Sequence, residues 1–403
     1  MADSDSYLKW AAGLLDTLPA GWTTRLTVVR TPIAPSPDQI RAAVSGTRTP
    51  EAPPVLPARA LRRTAGRMRP DIVLAACTGP VVDVLVAEVL GDLVPRPVFV
   101  TGLPGISIPA TEKAWLYRSG CDLFIVHSGR EVAEFTRIGA ELGARGAVAL
   151  ARLPYLDPPP RPDGAAGGEV AGPRNKVIFA TQAKVPRRRE ERERILLALA
   201  ELAQRRPDLE VVVKLRARAG ERQTHNERHP YERLWRSLVA AGRVRDGLLT
   251  FAAGPMHEHL AAAAGFVTVS STAALEAIRH EVPLLVLSDF GVSAEMINVV
   301  FEGSGCLGTL DDLVDARFRT PDAGWCRANY FHDPSACDAV ARMAALVAQA
   351  RTGRLVPARS LLDGPAHAAA RRRARLRLEV PPRVLRAGYR ARRRMRRYLG
   401  ALR

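Results

Sequence analysis

The sequence predicts an α/β protein: two doubly wound domains in series, facing a cleft, followed by a basic C-terminal tail. Three observations carry this. Short apolar, β-branched runs alternate with helical patterns along most of the 403 residues, and continuous apolar strands alternating with helices indicate parallel sheets covered on both faces. The alternation stops in LDPPPRPDGAAGGEVAGPR (156–174), a Pro/Gly-rich stretch without periodicity, and then restarts. Residues 371–403 hold fourteen arginines against one glutamate, so +13 of the net +18 lies there and +5 in the rest of the chain. The organisation read from these is a first domain over 1–155, a linker over 156–174, a second domain over 175–350 and an Arg-rich tail over 351–403.

In the first domain the strands are RLTVVR (25–30), DIVLAA (71–76), PVFVTG (97–102), DLFIVH (122–127) and AVALAR (147–152), with helices at Val81–Leu90 and Arg130–Leu142. In the second they are KVIFAT (176–181), LEVVVKL (209–215), LLTFAA (248–253), GFVTVS (265–270) and PLLVLS (283–288). Helices are expected there at Arg187–Arg205, Tyr231–Ala241, His257–Ala264 and Thr272–Glu281. The opening DSDSYLKWAAGLL reads as a loop running into a helix with Asp and Ser as N-caps. A strand should precede it, so either the first strand is missing from the chain start or the sheet begins with Leu26.

Composition narrows the class. With 47% hydrophobic and 25% charged residues the chain can build a sizeable core. No apolar run reaches the about 18 residues of a spanning helix, and the acidic start lacks the features of a secretory signal. Five scattered cysteines without a C-x-x-C pair suggest free thiols in a reduced, cytoplasmic setting.

The densest signal is FVTVSSTAALEAIRHEVPLLVL (266–287). A buried strand ending in Ser270, Ser271 and Thr272 before a helix sets hydroxyls and amides at a helix N-terminus, which favours a phosphate. The carboxyl ends of parallel strands are also where open α/β sheets bind ligands. Glu276, one turn in, could accept from ribose hydroxyls; the alternative is an N-cap followed by a surface glutamate.

These residues, with HEVPLLVLSDFG after them, resemble the nucleotide-sugar site of glycosyltransferases with two Rossmann-like domains, the GT-B fold. The Ser-Ser/Thr element is similar to the serine motif of bacterial sialyltransferases and polysialyltransferases. Taken together, DSDSYLKWAA, TGLPGISIPAT, KLRARAGERQTH and SDFGVSAEMIN resemble an uncharacterised actinobacterial glycosyltransferase family over roughly residues 1–350. The resemblance implies a nucleotide-sugar donor as substrate, no cofactor, and a glycan or lipid-linked acceptor at the cell envelope.

Lys214 and Arg216 follow a strand of the second domain at alternating positions, where two cations suit a phosphate. Arg216 stands where related enzymes carry the His of a Lys-x-His-Pro motif. His225 is a donor to phosphate or sugar, or a loop residue; Pro230 and the lack of a third ligand speak against a metal at His225, Glu227 and His229. Asp289 follows the strand at 283–287 and either flanks the donor sugar or caps a turn.

On the acceptor side, Gly102, Gly105, Ser107 and Thr111 belong to a tight loop after a strand of the first domain. Inverting transfer needs a base near the acceptor hydroxyl. Asp3 and Asp5 are the first candidates and Glu112 the next; both aspartates also fit as helix caps, and His127 is a third possibility. The tail, 371–403, suits an anionic membrane surface on the inner face of the plasma membrane, or a solvated segment. Nucleic acid is disfavoured by the 5% aromatic content. Two rival functions stand beside glycosyl transfer: a nucleotide-sugar 2-epimerase, and a non-catalytic protein that binds nucleic acid or membrane.

Overall fold

The structure, a computed structural model, describes residues 1–49, 51–156, 174–215, 227–380 and 384–385. The first half contains the parallel pair β1 (Val28–Val29) and β2 (Val55–Leu56), and a parallel sheet of β3 (Ile72–Ala75), β4 (Val98–Gly102), β5 (Leu123–Val126) and β6 (Ala147–Leu150), in that spatial order. The two sheets are joined by the start of the chain. Ala2 bridges Val28 on one side and Ala76 on the other, both parallel, and the Met1 ammonium donates to the Leu74 carbonyl at 2.9 Å. The position between β1 and β3 is therefore filled by residues 1–2, ahead of the helix Asp5–Asp16, and not by a strand starting at Leu26.

The second half is a six-stranded parallel sheet of β7 (Lys176–Ala180), β8 (Glu210–Lys214), β9 (Thr250–Ala252), β10 (Ala263–Thr268), β11 (Leu284–Leu287) and β12 (Leu307–Gly308). Its order is β12-β11-β10-β7-β8-β9. Side chains alternate across it as a pleated strand requires. Val177, Phe179, Val211 and Val213 pack with Ile195, Leu196 and Leu199 of the helix Arg189–Arg205. Ile178, Val212 and Phe266 face the other way, into a core shared with Trp10, Ile125 and Ala149 of the first half. The helix expected over His257–Ala264 is shorter, Met256–Leu260, because Ala263 already pairs with Lys176.

The chain then crosses back. Tyr330 donates to Glu131 at 2.6 Å, and Leu150 N donates to Asp338 Oδ1 at 2.8 Å. The helix Ala339–Arg351 packs on β4, β5 and β6. The helix Pro365–Glu379 packs on the helix Gly79–Val84, held by Arg371 against Asp83 at 2.8 and 2.9 Å. Residues 339–379, divided in sequence between second domain and tail, thus pack on the first half. No helix among the described residues is long and apolar enough to cross a membrane.

Candidate active site

In the second sheet the chain runs outward from β7 through β8 to β9, then returns to the other side of β7 at β10. The crevice at such a switch point, beyond the carboxyl ends of the strands, is where this architecture takes ligands. Its two lips are joined by Ser270 Oγ, which donates to Gln182 Oε1 at 2.8 Å. Beside them, Thr181 N donates to the Lys214 carbonyl at 3.1 Å, and the buried Lys214 ammonium donates to the Leu215 carbonyl at 2.8 Å.

Arg192 holds this edge in place. Its guanidinium is buried and donates to the carbonyls of Pro186, Gln182, Ala183 and His229, at 2.8 to 3.0 Å, and to the Glu227 carboxylate. One planar fork with five donors therefore fixes the turn after β7 and the end of the loop after β8. Arg216 and His225 lie outside the described residues.

The Ser-Ser-Thr turn largely satisfies its own amides. Ser271 N donates to Thr268 Oγ1 at 3.1 Å and Ala273 N to Ser271 Oγ at 3.2 Å. Ala274 N and Leu275 N bond the carbonyls of Ser271 and Thr272 at 3.0 and 2.9 Å. The following helix, Ala273–Arg279, has seven residues. The amides of Ser271, Ala273, Ala274 and Leu275 are thus occupied by hydroxyls and carbonyls of the same turn. Glu276 reaches across to the first domain, where Lys9 Nζ lies 3.6 Å from its Oε2. Asp289 accepts from Leu310 N at 2.8 Å, at the start of the helix Leu310–Val314, and lies 3.7 Å from Arg194.

The loop after β4 meets this turn. A Cβ on Gly105 would fall 2.8 Å from Thr272 Oγ1, and one on Gly102 would fall 2.4 Å from the Trp10 ring. Only hydrogen fits at either place. Ser107 Oγ donates to the Gly105 carbonyl at 3.0 Å, and Ser107 N to Glu131 Oε1 at 2.8 Å. Thr111 accepts from Ala114 N and caps the helix Glu112–Leu116, on which Glu112 is exposed. Buried Glu131 also accepts from His127 N at 2.7 Å; burial pushes its carboxyl up from the usual range.

His127 is buried, and burial lowers its pKa to about 4. Nδ1 lies 2.8 Å from the Ala151 carbonyl, and Nε2 lies 2.8 Å from the Leu103 carbonyl and 2.9 Å from the Trp10 indole nitrogen, which donates to it. Both ring nitrogens are used inside the protein. Tyr155, where the first half ends, sits under Lys9 at 5.2 Å from the ring centre. Its buried hydroxyl has no hydrogen-bond partner, and burial, reinforced by Glu276 and Glu131, pushes its pKa well up.

The first sheet has its own switch point, between residues 1–2 and β3. Asp3 closes it: its Oδ2 accepts from Thr78 N at 3.0 Å and from the Thr78 hydroxyl, ahead of the helix Gly79–Val84. The side chain is wholly buried. Burial raises its pKa to about 6, against the lowering effect of the Thr78 bonds and of Arg118. Asp5 is exposed on the first turn of the helix Asp5–Asp16, one turn before Lys9 and on the same face.

Gly105 and Lys9 of one half thus meet Thr272 and Glu276 of the other, Ser270, Ser271 and Lys214 lie at the carboxyl ends of β10 and β8, and Asp5 stands one helical turn from Lys9. Asp3 lies deeper, and Asp289 serves the rim. Lys9, Gln182, Glu131, Arg192 and Tyr330 belong to the site's framework and escaped sequence reasoning. Two of them left a trace: Glu131 completes Ser-x-x-Glu from Ser128, and Arg192 falls at helical spacing with Ile195, Leu196 and Leu199. No group of three or more metal-ligating side chains occurs among the described residues.

Two parallel sheets with carboxyl edges opposed, and a chain that crosses back to the first, define a GT-B architecture. Residues 1–346 match the family described as "Putative glycosyltransferase (DUF6716)", and the chain belongs to that family. Solved structures of similar fold include the S. aureus MnaA–UDP co-structure, at a TM-score of 0.55 and 12% identity over 89% of this chain and 97% of that one. A UDP-N-acetylglucosamine 2-epimerase gives 0.55 and 12%, over 89% and 97%. The Neisseria meningitidis UDP-GlcNAc 2-epimerase bound to UDP-GlcNAc gives 0.52 and 12%, over 78% and 88%. No curated protein matches the sequence.

Proposed function

We propose that the protein is a glycosyltransferase that moves a sugar from a nucleotide-activated donor to a cell-envelope glycan or lipid-linked acceptor. The observation that carries this, beside the family, is the contact of Gly105 with Thr272: the switch-point crevice of the second sheet opens directly onto the loop after β4. A donor held between β7 and β10 would present its sugar to the first half. The UDP and UDP-GlcNAc of the fold relatives support a uridine donor.

In the reaction the acceptor oxygen bonds the sugar's anomeric carbon, and the bond from that carbon to the phosphate oxygen breaks. The nucleoside diphosphate leaves with the electron pair. Lys214 and Arg216 would neutralise it, with Ser271 Oγ turning from Ala273 N to bond it, so that no metal is needed. Glu276 would exchange Lys9 for the ribose hydroxyls. Asp5, exposed and on the face of Lys9, would take the acceptor proton, with Glu112 as a second choice. Asp3 and Asp289 would shape the turns around them. The setting proposed is the cytoplasm.

A thermal-shift panel of UDP-, GDP-, CMP- and dTDP-sugars tests the donor site. One donor should stabilise the protein, and Ser271→Ala and Glu276→Ala should each weaken that shift; unchanged shifts in both would remove the assignment. The breadth of the likeness to 2-epimerases favours one rival. Incubating the protein with the donor and no acceptor decides between them: an epimerised nucleotide sugar means an epimerase, intact or hydrolysed donor a transferase.

A further inference from the structure

The helix Pro365–Glu379 makes part of the arginine-rich segment a fixed surface. Its inner face is settled: Ala374 and Leu378 are buried with Leu61, Ala65 and Leu85, Arg371 binds Asp83, and Arg375 reaches Glu88 at 2.9 Å. At about 100° per residue, the outer face holds Arg372, Arg373, Leu376 and Arg377, all exposed, with Leu376 51% exposed.

The helix Ala58–Met68 packs beside it. Arg59, Arg63 and Arg67 point to solvent from this helix, and Met68 is 45% exposed. Residues 58–69 contain no acid. The nearby carboxylates are already paired, Asp92 with Arg62 and Glu379 with Arg375. The two helices thus present exposed arginines side by side, with Leu376 set among Arg372, Arg373 and Arg377.

We propose that this two-helix face docks on an anionic lipid bilayer. Guanidinium groups pair with headgroup phosphates through two parallel bonds, and Leu376 enters the interface among them. A single-stranded nucleic acid would call for aromatic stacking platforms, and none of the large hydrophobic side chains exposed among the described residues is aromatic. Two helices side by side also make a broad face, where duplex reading uses a single helix or ribbon in the groove. The proposal goes beyond sugar transfer and holds whatever the reaction is.

The test is co-sedimentation of the full chain with vesicles of phosphatidylcholine alone or with a third phosphatidylglycerol. Binding should require the anionic lipid and fall at high salt. Arg67→Ser/Arg373→Ser should reduce partitioning about 25-fold, about fivefold per charge, with an unchanged melting temperature. Arg233→Ser/Arg236→Ser, two exposed arginines of the helix Tyr231–Ala240, should bind like the wild type. Equal loss in both variants, no loss in the first, binding to neutral vesicles, or displacement from vesicles by stoichiometric RNA would each overturn the proposal.

Discussion

Gly105 lies so close to Thr272 that a β-carbon added to it would stand 2.8 Å from the Thr272 hydroxyl and 3.0 Å from its methyl group. Threonine is short and cannot swing clear, so Gly105→Ala must push the two loops apart. The expected cost is about 1–3 kcal/mol, as for other overpacked contacts, read as a lower urea midpoint. The donor-induced thermal shift should shrink as well. A variant with wild-type midpoint and wild-type donor response would show that the loops do not meet.

Lys9 and Glu276 pair across the same cleft, with 49% and 16% of their side chains exposed. A pair this open contributes about 0–1 kcal/mol. Lys9→Met should therefore leave the melting temperature nearly unchanged. On the proposed exchange of partners it should strengthen donor binding a few-fold, because Glu276 is then released in advance. Weaker donor binding in titration calorimetry would mean that Lys9 itself holds the ligand.

Asp3 and His127 make opposite pH signatures. With its folded pKa raised to about 6, Asp3 favours the fold below its unfolded pKa, and that contribution is lost as pH rises through 6. His127, lowered to about 4, acts the other way: its contribution is present above pH 6.5 and lost as pH falls through 4. Asp3→Asn removes the first effect alone. Its stability relative to wild type should rise by about 2 kcal/mol between pH 4 and pH 7, measured by urea unfolding at each pH. A difference independent of pH would refute the buried, strained carboxylate.

Arg192→Lys keeps the charge but loses the fork. An ammonium has three donors where the guanidinium serves four carbonyls and Glu227. Buried acceptors left unpaired should destabilise the protein by about 1–3 kcal/mol each. Faster amide exchange should be concentrated at residues 182–186 and 227–230; an even rise over the whole chain would argue against a local clamp.

Much of the fold was legible because buried parallel strands write themselves as apolar runs. All ten stretches read as strands contain one. The two that escaped, β2 and β12, are two residues long, too short to show a period. The helices Pro37–Val44 and Ala58–Met68 escaped too: they bury only Ile40, Ala43 and Val44, and Ala58, Leu61 and Ala65. The segment Met1–Ala2 could not be read as a strand, since its pairing partners lie 26 and 74 residues away.

The candidate site was legible as a strand end at the switch point and less so as chemistry. Strand followed by Ser-Ser-Thr marked the crevice, yet the bonds from Thr268 and Ser271 that fill the turn depend on side-chain torsions, not on spacing. Asp3 read as a candidate base or a helix cap because only the folded sheet sets Thr78 beside it. Charge misled most at Arg371 and Arg375, whose partners Asp83 and Glu88 lie almost three hundred residues upstream. An arginine run tells nothing of which members are neutralised at such a distance.

Because residues 339–379 rest on β4, β5, β6 and the helix Gly79–Val84, the two halves of this protein are not interchangeable parts. Residues 1–155 made alone would expose the apolar patch meant for Ala374 and Leu378 and leave Asp83 buried without its counter-ion. Swapping one half into a chimera will succeed only if the far end of the chain travels with the near one.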